Sequence, residues 1–179
     1  TFNEINNQMN TDNPLFLWTN SGVQLAADEN PREVLFQVAH NELLASARAV
    51  AIAHEIDPGL QVGCMVSHVP VYPFSCHPDD VMAAQVAMRE RFLFADVHVR
   101  GHYPSYAVKE IERGGYDIDI RAEDAHILAP GVVDFIGFSY YMSTAVKAGP
   151  AGNSTADDVA GGPDNAVPNP HVKASDWGW

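Results

Sequence analysis

Near the start of the sequence stands Asn3-Glu4, a carboxamide beside a carboxyl group. The carboxyl can give and take a proton, and the carboxamide can both donate to and accept from a hydroxyl. Two β-formers, Thr1 and Phe2, lead into the pair, and a polar, turn-prone run follows (Asn6, Asn7, Asn10, Thr11, Asp12, Asn13, Pro14). That pattern suits the end of a buried strand that delivers polar side chains to a pocket rim. Farther along, Tyr140-Tyr141 closes an apolar run, and Trp177 and Trp179 stand together. These aromatics could line a pocket or join a hydrophobic cluster. The eight histidines show no His-x-x-x-His on a predicted helix and no Cys/His grouping at zinc spacing, so no metal is expected.

Composition narrows the partners. The formal charge of -13 argues against nucleic acid and anionic membrane, which select basic surfaces. A small anionic substrate stays compatible, because one Lys or Arg in a pocket outweighs a distant acidic surface. With 46% hydrophobic residues and a mean hydropathy of -0.13, the 179 residues suit a globular domain with a sizeable core. No apolar run reaches membrane-spanning length, and no basic-then-apolar segment opens the sequence. Cys64 and Cys76 are too few for a disulfide framework and read as reduced thiols in a cytoplasmic protein. Both ends of the sequence read as cut from a longer chain.

The elements that must position these residues alternate. Asn30-Pro31-Arg32-Glu33 predicts a capped helix running to about Glu55, ended by Asp57-Pro58-Gly59. Its second half is apolar nearly all round, and His40 and His54 on it read as structural. Gln61–Val66 has the length and composition of a strand, and Ser67–Pro73 reads as a proline-punctuated loop. A second helix is expected from Pro78 to about Asp96, with Asp79 and Asp80 in its first turn. Shorter helices are expected over Tyr106–Arg113 and Ala122–Leu128, then a third, buried strand over Val132–Tyr141. From Ala148 to Pro170 the composition is that of a long loop. A strand, a long helix and another strand make a βαβ unit and hence a parallel sheet.

Five stretches, in order, resemble glycoside hydrolase family 1 and most of all its bacterial 6-phospho-β-glucosidase branch. They are Thr1–Glu4; Tyr72-Pro73 with Pro78–Asp80; Asp96–Pro104; Asp134–Ser143; and Asn169-Pro170 with Lys173–Trp179. The resemblance covers nearly the whole chain. It implies an α/β fold, a (β/α)8 TIM barrel of which residues 1–179 are a central portion, about strands 4 to 6 with their helices. Catalysis in such barrels sits at the C-terminal ends of the strands.

The resemblance further implies a retaining β-glycoside hydrolase acting on 6-phospho-β-glucosides, with no cofactor. Glu4 would be its general acid/base, Asn3 the residue that binds the sugar 2-hydroxyl, Tyr141 the tyrosine that holds the nucleophilic carboxylate, and Trp179 a wall of the aglycone side. Ser139 departs from the family's usual Asn, a change the phospho branch accepts. Retention needs two carboxyls roughly 5–5.5 Å apart. The family carries the nucleophile in a Glu-Asn-Gly stretch, which does not occur among these residues. An unphosphorylated β-glucosidase of the same family, or an inactive structural or sugar-binding fragment, is the alternative. Neither composition nor resemblance specifies the oligomeric state.

Overall fold

The computed structural model describes residues 1–10, 14–149 and 165–176. A 3₁₀ helix, Ile5–Asn10, is followed by α1 (Pro14–Ser21) and the long α2 (Pro31–Ile56). Next come β1 (Gly63–His68), β2 (Val71–Pro73), α3 (Pro78–Arg100), α4 (Ser105–Gly114) and α5 (Asp124–Leu128). The strands β3 (Phe135–Tyr140), β4 (Thr144–Val146) and β5 (Ala166–Pro168) complete the described elements. The chain forms two compact units, Thr1–Val66 with Phe92–Phe138 and Ser67–Arg91 with Ser139–Trp179.

In the first unit α2 is the scaffold. The Asn30 side chain accepts from the Arg32 N–H at 3.0 Å, and Pro31 occupies the first turn, where its missing N–H costs nothing. At the other end, the Asp57 N–H closes on the Ala53 carbonyl at 3.0 Å. The expected helix to about Glu55 is therefore found to within a residue. Its face of Leu35, Phe36, Ala39, Leu43, Ala47 and Val50 is buried at helical spacing. Most of that face shares one core with Ile5, Met9, Leu17, Leu93, Phe94, Val97, Ala107 and Leu128. The Phe36 and Tyr116 rings meet with centroids 5.7 Å apart.

The helix ends are specified locally. α3 closes with the Gly101 N–H on the Val97 carbonyl at 2.9 Å, and Gly101 has a φ of +67°. An added Cβ there would also lie 2.8 Å from the Leu128 carbonyl oxygen, so both conformation and space select glycine. α4 ends on Gly115, left-handed at φ +63°.

β1 and β3 are hydrogen-bonded neighbours, joined ahead of the strands by a carboxylate clamp. Asp134 donates its N–H to the Val62 carbonyl at 2.8 Å, while its Oδ2 accepts from the Val62 N–H at 2.7 Å and from His54 Nε2 at 2.9 Å. Those donors, the Val62 N–H foremost and His54 next, hold the Asp134 carboxyl below the usual carboxylate range.

Besides the expected burial of the third strand, which as β3 of a two-stranded sheet is mostly exposed, three expectations needed revision. Thr1–Glu4 is no ladder strand: it pairs through the single parallel bridge of Asn3 with Met65. Ser67–Pro73 is more ordered than its prolines suggest, since β1 continues to His68 and Val71–Pro73 forms β2. Pro73 ends that strand, a place where proline is tolerated. Third, Ala166–Pro168 within the expected long loop forms β5, whereas residues 150–164 of that loop lie outside the described ones.

In the second unit β4 is the centre of a small sheet. It runs parallel to β2, with Val71 opposite Thr144 and Pro73 opposite Val146, and antiparallel to β5, with Val146 opposite Ala166. Val71, Ala84 and Val146 form the core of this unit. Asp80, in the first turn of α3, ties it together by accepting from Ser75 Oγ at 2.5 Å and from the Ala148 N–H at 2.7 Å.

Candidate active site

Glu4 is seated by β1. Its N–H donates to the Met65 carbonyl at 2.8 Å, beside the bridge that fixes Asn3. From there the chain turns at once into the 3₁₀ helix, whose Ile5 and Met9 are driven into the core one turn apart. Arg32 fixes the far end of that helix. Its Nη1 donates to the Met9 carbonyl at 3.0 Å while Nη2 pairs with Glu110 Oε1 at 2.6 Å. The guanidinium lies 5.3 Å above the Phe36 ring, which adds a cation–π contact.

This sharp passage from bridge to 3₁₀ helix has a backbone cost. Glu4 has a φ of +50°, the only non-glycine residue among the described ones with a positive φ. An L-residue there typically costs about 1 kcal/mol or more, and such conformations cluster at functional sites. The Asn7 N–H closes the turn by donating to the Glu4 carbonyl oxygen at 3.0 Å. Asn7 Nδ2 also donates to Glu4 Oε2 at 3.2 Å. Glu4 is partly buried, Asn3 is exposed, and Asn6 between the core residues is fully buried.

Of the residues singled out in the sequence, Asn3 and Glu4 are thus brought together on β1. Tyr141 directly follows β3, belongs to the second unit, and is exposed. Ser139 lies within β3, and Trp179 falls outside the described residues. Cys64 is buried and Cys76 exposed. Among the described residues no group of three or more His, Cys, Asp or Glu side chains could hold a metal ion. No helix of the described residues is long and apolar enough to cross a membrane.

Two buried histidines near this framework are structural. His98 sits with its Nδ1 3.4 Å from Ser46 Oγ, and that hydroxyl donates to Thr1 Oγ1 at 2.7 Å. Burial pushes His98 down to about 4, so it is neutral near pH 7. His40 joins α2 to α5 and to the segment before α4: Nε2 lies 3.1 Å from Asp124 Oδ2 and Nδ1 lies 3.1 Å from the Tyr103 hydroxyl. The Asp124 carboxyl is held below its ordinary range, first by the Arg121 N–H. Burial, meanwhile, pushes the Tyr103 phenol up. Asp124 is therefore an ionised acceptor and Tyr103 keeps its proton. His40 then donates from Nε2 to Asp124 and can accept from the Tyr103 hydroxyl at Nδ1.

Comparison with known proteins places the chain. The model of glycosyl hydrolase family 1 matches residues 1–179. The aryl-phospho-beta-D-glucosidase BglA of Bacillus subtilis is 59% identical over 179 residues, which are all of this chain and 37% of that protein. A 6-phospho-beta-glucosidase of Clostridium longisporum is 42% identical over 186 residues, covering 100% of this chain and 36% of its own length. The chain thus spans little more than a third of these relatives. Among solved structures, the psychrophilic beta-glucosidase BglU of Micrococcus antarcticus aligns over 100% of this chain and 39% of its own. Its TM-score is 0.71 at 20% identity. A family 1 beta-glucosidase of Thermotoga maritima gives 0.70 at 24% identity, covering 100% of this chain and 36% of that one. The fold is that of a portion of a (β/α)8 barrel, as the sequence resemblance implied. With its full length matched and close relatives throughout, the chain belongs to glycosyl hydrolase family 1.

Proposed function

We propose that this chain forms part of a retaining β-glycosidase that hydrolyses 6-phospho-β-glucosides, with Glu4 as its general acid/base. The observation that carries this reading is the 59% identity, along the whole chain, to a protein named as an aryl-phospho-β-glucosidase. Glu4 is held at the edge of β1 in a conformation that the surrounding hydrogen bonds impose.

In this mechanism the protonated Glu4 donates to the departing glycosidic oxygen as a second carboxylate attacks the anomeric carbon. The ionised Glu4 then takes a proton from the water that releases the sugar. Asn3 binds the sugar 2-hydroxyl, Tyr141 orients the nucleophile, and Trp179 lines the aglycone side. The nucleophile comes from the Glu-Asn-Gly strand that the family pattern requires and these residues do not contain. Cytoplasmic action suits a substrate phosphorylated on import.

Leaving-group dependence in the full-length protein tests the role of Glu4. Glu4→Gln should lower kcat/KM for aryl 6-phospho-β-glucosides with poor leaving groups by about 10²–10⁴-fold. Substrates whose leaving groups need no protonation should lose far less in the glycosylation step. Equal losses on both kinds would remove Glu4 from the acid role.

A further inference from the structure

The geometry points to Asn7 as the residue that positions the Glu4 carboxyl group for its proton transfers. This assignment rests on Glu4 being the acid/base. Asn7 grips Glu4 at two places. Its backbone N–H donates to the Glu4 carbonyl at 3.0 Å, closing the first turn of the 3₁₀ helix. Its side-chain Nδ2 donates to Glu4 Oε2 at 3.2 Å. Glu4 immediately precedes the 3₁₀ helix, and the first turn brings Asn7, three residues on, back onto it.

The turn is held from three directions. The Glu4 N–H is bound to β1 through Met65, Ile5 and Met9 are buried, and Arg32 fixes the Met9 carbonyl. Glu4 keeps its φ of +50° because these contacts over-determine it. With the backbone fixed and Oε2 held by Asn7, the plane of the carboxyl group is fixed as well.

The hydrogen bond acts on the two halves of the reaction unequally. An N–H donor binds a carboxylate more strongly than a carboxylic acid, so Asn7 favours the ionised, base form. Removing the donor favours the protonated, acid form and moves the alkaline limb of the pH profile upward. A role in folding alone would lower activity at every pH and leave the limb in place.

The experiment uses the full-length enzyme and the pH dependence of kcat/KM on an aryl 6-phospho-β-glucoside with a poor leaving group. For Asn7→Ala the expected result is roughly a tenfold loss at neutral pH, the scale of one hydrogen bond to a charged group. Its alkaline limb should move up by about half to one pH unit. Asn7→Asp is isosteric, which preserves the fold, and it replaces the donor with a like charge. Its limb should move up by about one unit or more, and it reads the proposal even if the alanine variant does not fold.

Glu4→Gln is measured alongside. If it abolishes the alkaline limb while both Asn7 variants leave the limb at its wild-type position, the assignment of Asn7 is overturned and the role of Glu4 stands. If the limb survives in Glu4→Gln, Glu4 is not the titrating acid and the assignment falls with it. Limbs displaced upward in both Asn7 variants and absent in Glu4→Gln support it.

Discussion

The chemistry of the chain rests on a few residues whose surroundings separate their tasks. Glu4, the proposed acid/base, is partly buried and gripped at its backbone and its carboxyl. His98 is enclosed and neutral, and it serves packing. That enclosure has a measurable consequence. In the folded protein His98 releases its proton near 4, whereas an unfolded chain does so near 6.5. The unfolded state therefore binds more protons in this window, so stability falls as pH drops from about 6.5 toward 4. The full effect is at most on the order of 3 kcal/mol. Melting of full-length His98→Asn should show a flatter pH dependence across that range, and an unchanged slope would contradict the assignment. At this scale the sequence was partly legible. The Asn3-Glu4 pair was singled out through the family resemblance rather than through residue types alone, and both residues are seated against Met65 of β1. Asn7 was hidden, because an asparagine in a turn-prone run reads as loop until the 3₁₀ turn brings it onto Glu4.

Among the elements, α2 was the most legible, since its cap, its proline and its apolar periodicity are all local signals. The strands β2, β4 and β5 were not, for the opposite reason. Each is three residues long and exists only through partners far away in sequence, as Val71 with Thr144 illustrates. Polar ties between elements were equally invisible. The His40 bridge joins α2 to Tyr103, just before α4, and to Asp124 at the start of α5. His40→Leu removes a partner from both the Asp124 carboxylate and the Tyr103 hydroxyl and should be the more destabilising change. Tyr103→Phe removes only the donor to Nδ1 and should cost about 1–2 kcal/mol. Urea unfolding of the full-length variants checks the order, and a milder effect for His40→Leu would refute the assigned roles.

The molecule as a whole shows why family membership and activity are separate statements. Family and fold follow from matches along the entire chain, while the chain spans 37% of its Bacillus subtilis relative. Phe135, Phe138 and Tyr140 of β3 are each more than half exposed, large apolar surface on a strand of a two-stranded sheet. The 179-residue polypeptide by itself should accordingly bind apolar dyes or self-associate. It should hydrolyse no glycoside, because retention needs a second carboxylate across the anomeric carbon from Glu4. Turnover by a purified, sequence-verified polypeptide free of host enzyme would contradict that expectation. The central claim concerns the full-length protein, and a matched pair of aryl β-glucosides, with and without a 6-phosphate, tests it most directly. A site built to bind phosphate leaves charged groups unpaired when the phosphate is missing, so kcat/KM should favour the phosphorylated member by at least about a hundredfold. Equal rates, or preference for the unphosphorylated glucoside, would contradict the account.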